Sequence, residues 1–148
     1  TKTDVVICYT DIIFDFKIFK KFKSKRYKNI TLPHLKDWTS VWKKRKKKIF
    51  NDAETFITDN DSKVLEIGKK LTKIKYKKTK GQFMGIIYIP KEMIGKIIFF
   101  YKKRQKKKIQ FTEFLNFLIS KKLEINTFSY NGLWYEFDDI YDLKSFTK

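Results

Sequence analysis

Between Gly81 and Pro90 the chain reads Gln-Phe-Met-Gly-Ile-Ile-Tyr-Ile, its longest continuous strand candidate. A run this apolar, without polar alternation, suits a central strand buried on both faces, and a proline that cannot donate to a ladder ends it. Such a strand needs layers packed on each side, and the flanking sequence offers helices for them. The spacing predicts helices over about 91–104 and 112–121, the second opened by Thr112 as N-cap, with Phe111, Phe114, Leu115 and Leu118 as its apolar face. Upstream, a strand is expected over about 3–10, then a turn at Asp11 and a helix through about Lys23 whose stripe is Ile12, Phe16, Phe19 and Phe22. Asn29 to Leu32 reads as a further strand closed by Pro33. Strand, helix, strand in this order favours an α/β fold with a Rossmann-like, mostly parallel sheet and flanking helices.

The remaining segments fit around that frame. Trp38 and Trp42, four residues apart, share a helical face, and with the basic run Lys43 to Lys48 they read as an excursion over the surface. Ala53 to Thr58 and Lys63 to Ile67 flank the polar turn Thr58-Asp59-Asn60-Asp61-Ser62, as in a hairpin. That turn lacks the glycine and closing glutamate of a helix-loop-helix calcium loop. After a basic connection, Lys69 to Lys80, and the two helices, Leu123 to Phe128 is a strand and Asn131-Gly132 a turn. Trp134 to Phe137 is a short strand that leads through Asp138 and Asp139 into a C-terminal helix. No repeat and no Gly/Ser- or Pro-rich linker divides the chain, so residues 1–148 read as one domain or part of one.

Composition narrows the chemistry. Cys8 and His34 are the only cysteine and histidine, which excludes an intrachain disulfide and makes cysteine-rich metal sites, multi-histidine zinc sites and Ser-His-Asp triads poor readings. Cys8 is expected to be a buried, inert thiol and His34 a surface or loop residue. Carboxylates, lysines and backbone groups must do the work. The net charge of +19 would ordinarily point to nucleic acid, but of 35 basic residues only Arg26, Arg45 and Arg104 are arginine, the residue that base readout and bidentate phosphate clamps favour. Solvated lysine faces are the better reading, and nucleic acid is not the expected partner. No stretch approaches the ~20 apolar residues of a membrane span, and no signal-like segment opens the sequence, so a cytoplasmic protein is expected. A chain that enters an apolar strand within a few residues of Thr1 reads as a fragment.

Three separated motifs resemble one family. Cys8-Tyr9-Thr10-Asp11-Ile12-Ile13-Phe14-Asp15 resembles the strand end that carries a metal-binding aspartate in nucleotidyltransferases of the nucleotide-diphospho-sugar transferase type. Val64 to Lys70, with Glu66-Ile67-Gly68-Lys69, and Gly81-Gln82-Phe83-Met84-Gly85 are similar to segments of the cytidylyltransferases for phosphocholine and 2-aminoethylphosphonate and of the transferase domains fused to phosphonate mutases. Gly132 to Leu143 resembles the family's closing segment, and Trp38, Trp42 and Arg45 match a tryptophan-arginine pattern between the first two motifs. The glycine-rich, arginine-containing loop with which the family begins is not found here. The resemblance therefore implies the C-terminal half of such a domain, its N-terminal half missing, with no activity expected of this part by itself.

What the resemblance implies about chemistry is specific. A nucleotidyl group, CMP if the donor is CTP, passes from an NTP to a small phosphorylated or phosphonate acceptor such as phosphocholine, 2-aminoethylphosphonate or a sugar 1-phosphate, and pyrophosphate leaves. Asp11 and Asp138, each following a strand, are the expected Mg²⁺ ligands, since this hard cation takes one or two carboxylates together with phosphates and water. Either aspartate also reads as a plain helix cap, with Asp139 the better cap of the second pair. Lys69 would meet the acceptor's phosphate, or is one more solvated lysine. Gln82, Gly85, Glu136 and Trp134 would contact substrate; Gly85 among bulky residues implies close approach of a ligand or of other protein atoms. Trp38, Trp42 and Trp134 would either wall a pocket for a quaternary ammonium or pack in the core. A lysine-rich nucleic-acid-binding module and a catalytically dead remnant are the rival readings.

Overall fold

The structure is a computed structural model that describes residues 2–45, 48–104 and 108–147. Its elements, in chain order, are β1 (Val5–Cys8), β2 (Ile12–Phe14), α1 (Lys17–Lys25), β3 (Ile30–Leu35), α2 (Trp38–Lys44), α3 (Ile49–Asp52), β4 (Glu54–Thr58) and β5 (Val64–Lys70). They continue with α4 (Lys73–Tyr76), β6 (Gln82–Phe83), β7 (Ile86–Ile89), α5 (Lys91–Lys103), α6 (Phe111–Ser120), β8 (Ile125–Tyr130), β9 (Trp134–Glu136) and α7 (Ile140–Phe146).

The fold is α/β, but the sheet is not mostly parallel. Only β3 and β8 run parallel, in continuous register from Ile30 opposite Ile125 to Leu35 opposite Tyr130. β1 pairs antiparallel with β7, and β3 pairs antiparallel with β7 and β6. The physical reason lies in strand order. β1 and β3 do point the same way, as strand-helix-strand order requires, but the segment 82–89 lies between them and runs against both.

That segment is buried on both faces, as its composition demands, and its period-two alternation sorts it between two cores. Ile86 and Tyr88 join Ile18, Phe22, Trp38, Trp42, Met84 and Trp134 on one side. Ile87 and Ile89 join Phe56, Ile67, Met93, Phe114, Leu115 and Leu118 on the other. It is not one continuous strand, because Met84-Gly85 interrupts it, with Gly85 at φ +68°. The interruption explains Pro33, which sits inside β3 and does not end it. β3 pairs with the segment at Thr31–Tyr88 and again from His34–Phe83, so on that edge Pro33 falls in an unpaired stretch, while on the other it stays in register with Phe128 of β8.

Other expectations shift in detail. Ile12 belongs to β2 and Phe16 is 77% exposed, so the first helix starts only at Lys17 and buries Ile18 and Phe22. Trp38 and Trp42 are core, not surface, because α2 lays that face on the first cluster and leaves its lysines outside. Lys46 and Lys47 of the basic run lie outside the described residues. Thr112 is buried within α6, whose cap position is Gln110, and a Cβ on Gly68 would overlap it. His34 is buried in β3, only 9% exposed, and Cys8 is half-buried. The hairpin β4–β5 and the cap of α7, where the Asp139 carboxylate accepts from the N–H groups of Tyr141 and Asp142, stand as the sequence predicts. Among the described residues no helix is long and apolar enough to cross a membrane.

Candidate active site

The two-stranded ladder β2–β9 organises the site. Ile12 stands opposite Glu136 and Phe14 opposite Trp134, and beyond the Ile12–Glu136 pair the Phe137 N–H donates to the Asp11 carbonyl at 2.9 Å. Asp11 and Asp138, 127 positions apart in sequence, are thereby brought to one end of one ladder. Both charges act on Glu136 between them. Desolvation, then the charge of Asp138, pushes the Glu136 carboxyl up to about 7; Arg45 opposes this and Asp11 adds to it.

Behind this rim lies Arg45, 2% exposed, at the C-terminal end of α2. Its Nε donates to Asp142 Oδ1 (2.9 Å) and its Nη2 to Asp142 Oδ2 (3.1 Å), a bidentate clamp. The same guanidinium donates to Glu136 at 3.1 Å and to Asp138 at 2.5 Å, and lies 3.8 Å from Asp52. Burial opposes its charge, but the Asp142 hydrogen bonds and the charges of Glu136, Asp142 and Asp138 outweigh that and raise its pKa. Asp142 is itself fully buried and accepts from the Asp138 N–H at 2.9 Å, so the loop that carries Asp138 is fixed from two directions.

Beside the rim opens a cleft of about 400 Å³, lined in part by Tyr9, Trp42, Glu54, Gln82, Gly85, Thr112, Glu136 and Asp138. Gln82 is 4% exposed and donates through Nε2 to the Glu54 carbonyl. Gly85 owes its missing side chain to protein, since a Cβ there would stand 2.9 Å from the Tyr9 ring. The Tyr9 N–H donates to the Gly85 carbonyl, and its ring meets Phe83 edge to face at 5.8 Å. Trp134 lies behind the wall: its ring stacks on Trp42 at 6.1 Å and its Nε1 donates to the Met84 carbonyl.

Of the residues singled out from sequence, Gln82, Gly85, Glu136 and Asp138 line this cleft; Asp11 is not among the lining residues, and only its backbone carbonyl is tied to the rim, by the Phe137 N–H. Trp134 supports it without lining it. Lys69 is not among the lining residues; its ammonium is held by Glu66 at 2.9 Å, which also pairs with Lys75 at 2.7 Å. Sequence reasoning gave no role to Arg45, Asp142, Tyr9 or Glu54. A signal for Arg45 existed: in a chain that spends nearly all its basic positions on lysine, an arginine marks a place where a planar, bidentate donor is needed.

No family model matches the chain. It is 26% identical, over 152 aligned positions, to a CTP:phosphoglutamine cytidylyltransferase of Campylobacter jejuni, a match that takes in 97% of this chain and 58% of that protein. Among solved structures it resembles the inositol-1-phosphate CTP transferase from T. maritima with a TM-score of 0.71 and 16% identity, over 99% of this chain and 54% of that one. A nucleoside-diphosphate-sugar pyrophosphorylase from Vibrio cholerae matches with a TM-score of 0.59 and 11% identity, over 97% and 55%. The chain thus spans somewhat more than half the length of these proteins, and over that span it has the fold of the nucleotidyltransferases of the nucleotide-diphospho-sugar type.

Proposed function

We propose that the chain is the acceptor- and metal-binding part of a nucleotidyltransferase that moves a nucleotidyl group, CMP from CTP, onto a small phosphorylated or phosphonate acceptor and releases pyrophosphate. The observation that carries this reading is the pairing of Asp11 with Phe137 across the end of the β2–β9 ladder, which sets the backbone of Asp11 beside the loop of Asp138, a residue that lines a cleft of small-molecule size. The names of the relatives, two of which use CTP, support the donor. A cytoplasmic place suits a reaction that draws on nucleoside triphosphates.

The donor set fits Mg²⁺. Among the described residues no cluster of three or more His, Cys, Asp or Glu is placed to hold an ion by protein alone. A cation that keeps several waters and binds substrate phosphates needs only one or two carboxylates, and Asp138 at the cleft, with Asp11 at the neighbouring strand end, would supply them. Asp11 and Asp138 would hold it, and it would neutralise phosphate charge during transfer. The chain's own residues do the rest. Arg45 and Asp142 fix Asp138, and Glu136 and Gln82 face the acceptor. Lys69, on exchanging Glu66 for substrate, would meet the acceptor's phosphate, and Trp134 holds the Trp42 wall in place.

The test is pyrophosphate release by the protein expressed from its complete reading frame, with several NTPs and phosphorylated acceptors. Asp11→Asn and Asp138→Asn should each lower kcat/KM by at least about 100-fold, the scale on which a preorganised charge acts. Turnover unaffected by both substitutions would contradict the assignment. Tight, salt-sensitive binding of duplex DNA or RNA without turnover would favour the nucleic-acid reading.

A further inference from the structure

Four of the five glycines are demanded by the protein's own packing: a Cβ added at Gly68, Gly81, Gly85 or Gly132 would overlap Thr112, His34, Tyr9 or Tyr130. Gly95 is the exception. It lies inside α5, and a Cβ there would meet nothing within 4 Å. Glycine is a poor helix former, so at this position it lowers the stability of α5, and no neighbour among the described residues gives a reason for it. A missing side chain on an outer helix face does have a use, which is to let another element approach as closely as the backbone allows. The surroundings of Gly95 support that use. α5 turns Met93, Ile97 and Phe100 towards the second core, so Glu92, Gly95, Phe99 and Lys102, spaced i, i+3, i+7, i+10, form the opposite stripe, and all four are exposed. Phe99 is 50% exposed, Ile98 beside it 49%, and the Lys103 ammonium lies 4.4 Å from the centre of the Phe99 ring.

We propose that two copies of the chain associate through this face, α5 against α5, antiparallel about a two-fold axis. Phe99 seats on the second copy's Gly95 while Gly95 receives that copy's Phe99, the reciprocal contact that a two-fold interface requires. The same register sets Glu92 against Lys102 and Lys103 of the second copy, twice in each pair. Charge favours this arrangement over others. Copies of net charge +19 repel, so a seam between them has to bring acid to lysine. Glu92 is the only acidic residue of α5, stands at the opposite end of the helix from Lys102 and Lys103, and keeps its side chain 67% exposed with the Lys91 ammonium 3.9 Å away. The association is independent of the chemistry assigned to the cleft, whose lining includes no residue of α5.

The experiment is sedimentation equilibrium of the protein expressed from its complete reading frame, at physiological ionic strength. A monomer–dimer equilibrium is expected, with Kd on the order of 10 μM, the scale of a small interface built on one helix from each copy. Phe99→Ser and Gly95→Leu should each weaken association at least about tenfold. Glu92→Lys should weaken it as well, and adding Lys102→Glu and Lys103→Glu to that variant should restore it, because the reversed charges meet in the same register. Gly95→Leu has a second readout. In dilute solution, where the protein is monomeric, it should raise the urea midpoint, since leucine is the better helix former. A protein still monomeric at about tenfold the expected Kd, association untouched by Phe99→Ser and Gly95→Leu, or a charge reversal that restores nothing overturns the proposal. So does a Gly95→Leu variant with a lowered midpoint, which would show that another part of the same polypeptide covers this face.

Discussion

Arg45 is the residue on which most of the candidate site rests. A buried guanidinium that serves four carboxylates has already been stripped of water, so removing it strands like charges in a low-dielectric setting. Arg45→Met should cost about 3–5 kcal/mol in urea unfolding, and Arg45→Lys should rescue little because an ammonium cannot clamp Asp142 through two parallel bonds. His34 and Glu136 give a paired pH prediction. The Thr127 hydroxyl donates to the Leu32 carbonyl, so it accepts from His34 Nδ1–H, and burial, with Lys36 adding, lowers the His34 pKa to about 4. A histidine whose folded value lies below its unfolded 6.5 takes up protons more readily when unfolded. Its contribution is full above pH 6.5 and falls by about 3 kcal/mol as pH drops towards 4. Glu136, raised to about 7 from 4.5, works in reverse, favouring the fold at low pH and losing that contribution as pH rises from 4.5 to 7. Between pH 4.5 and 6.5 the two oppose each other. His34→Gln should therefore leave stability rising as pH falls through this window, and Glu136→Gln should leave it falling, in urea titrations at several pH values.

At the scale of elements, the interrupted strand 82–89 shows both what sequence supports and where it stops. Its apolar content declares burial on two faces, and alternation then assigns Ile86 and Tyr88 to one core and Ile87 and Ile89 to the other. Composition does not declare the break, because Gly85 reads equally as a ligand approach or a packing gap until the Tyr9 ring is found against it. Gly85→Ala should cost about 1–3 kcal/mol, since alanine is disfavoured at φ +68° and its methyl meets that ring. Strand direction was misread for a related reason: local order tells which way β1 and β3 point but not that a distant segment separates them. The segment of Trp38 and Trp42 reads as a surface excursion because lysines follow them, yet the core packing that the tryptophans alone suggest prevails, since the helix turns those lysines outward. Local chemistry was legible where it is self-contained. The Asp139 cap of α7 is such a case, and Asp139→Ala should destabilise the chain by about 1 kcal/mol.

For the molecule as a whole, motif resemblance singles out the two aspartates, whereas no motif points to the cleft. Asp11 and Asp138 each adjoin a strand, but bringing their segments together depends on a pairing between the second strand, β2, and the last, β9, which no local pattern encodes. The acidity of the cleft is hidden in sequence beneath a net charge of +19, because Glu54 of β4 is distant in sequence from Glu136 and Asp138 at the end of β9. The central claim is that this assembled rim holds a divalent cation, and paramagnetic broadening by Mn²⁺ in amide NMR spectra of the chain tests it most directly. The account predicts that substoichiometric Mn²⁺ broadens residues 9–12 and 136–139 first, and that Asp11→Asn or Asp138→Asn removes the effect. Broadening centred elsewhere, or unchanged in both variants, would contradict it.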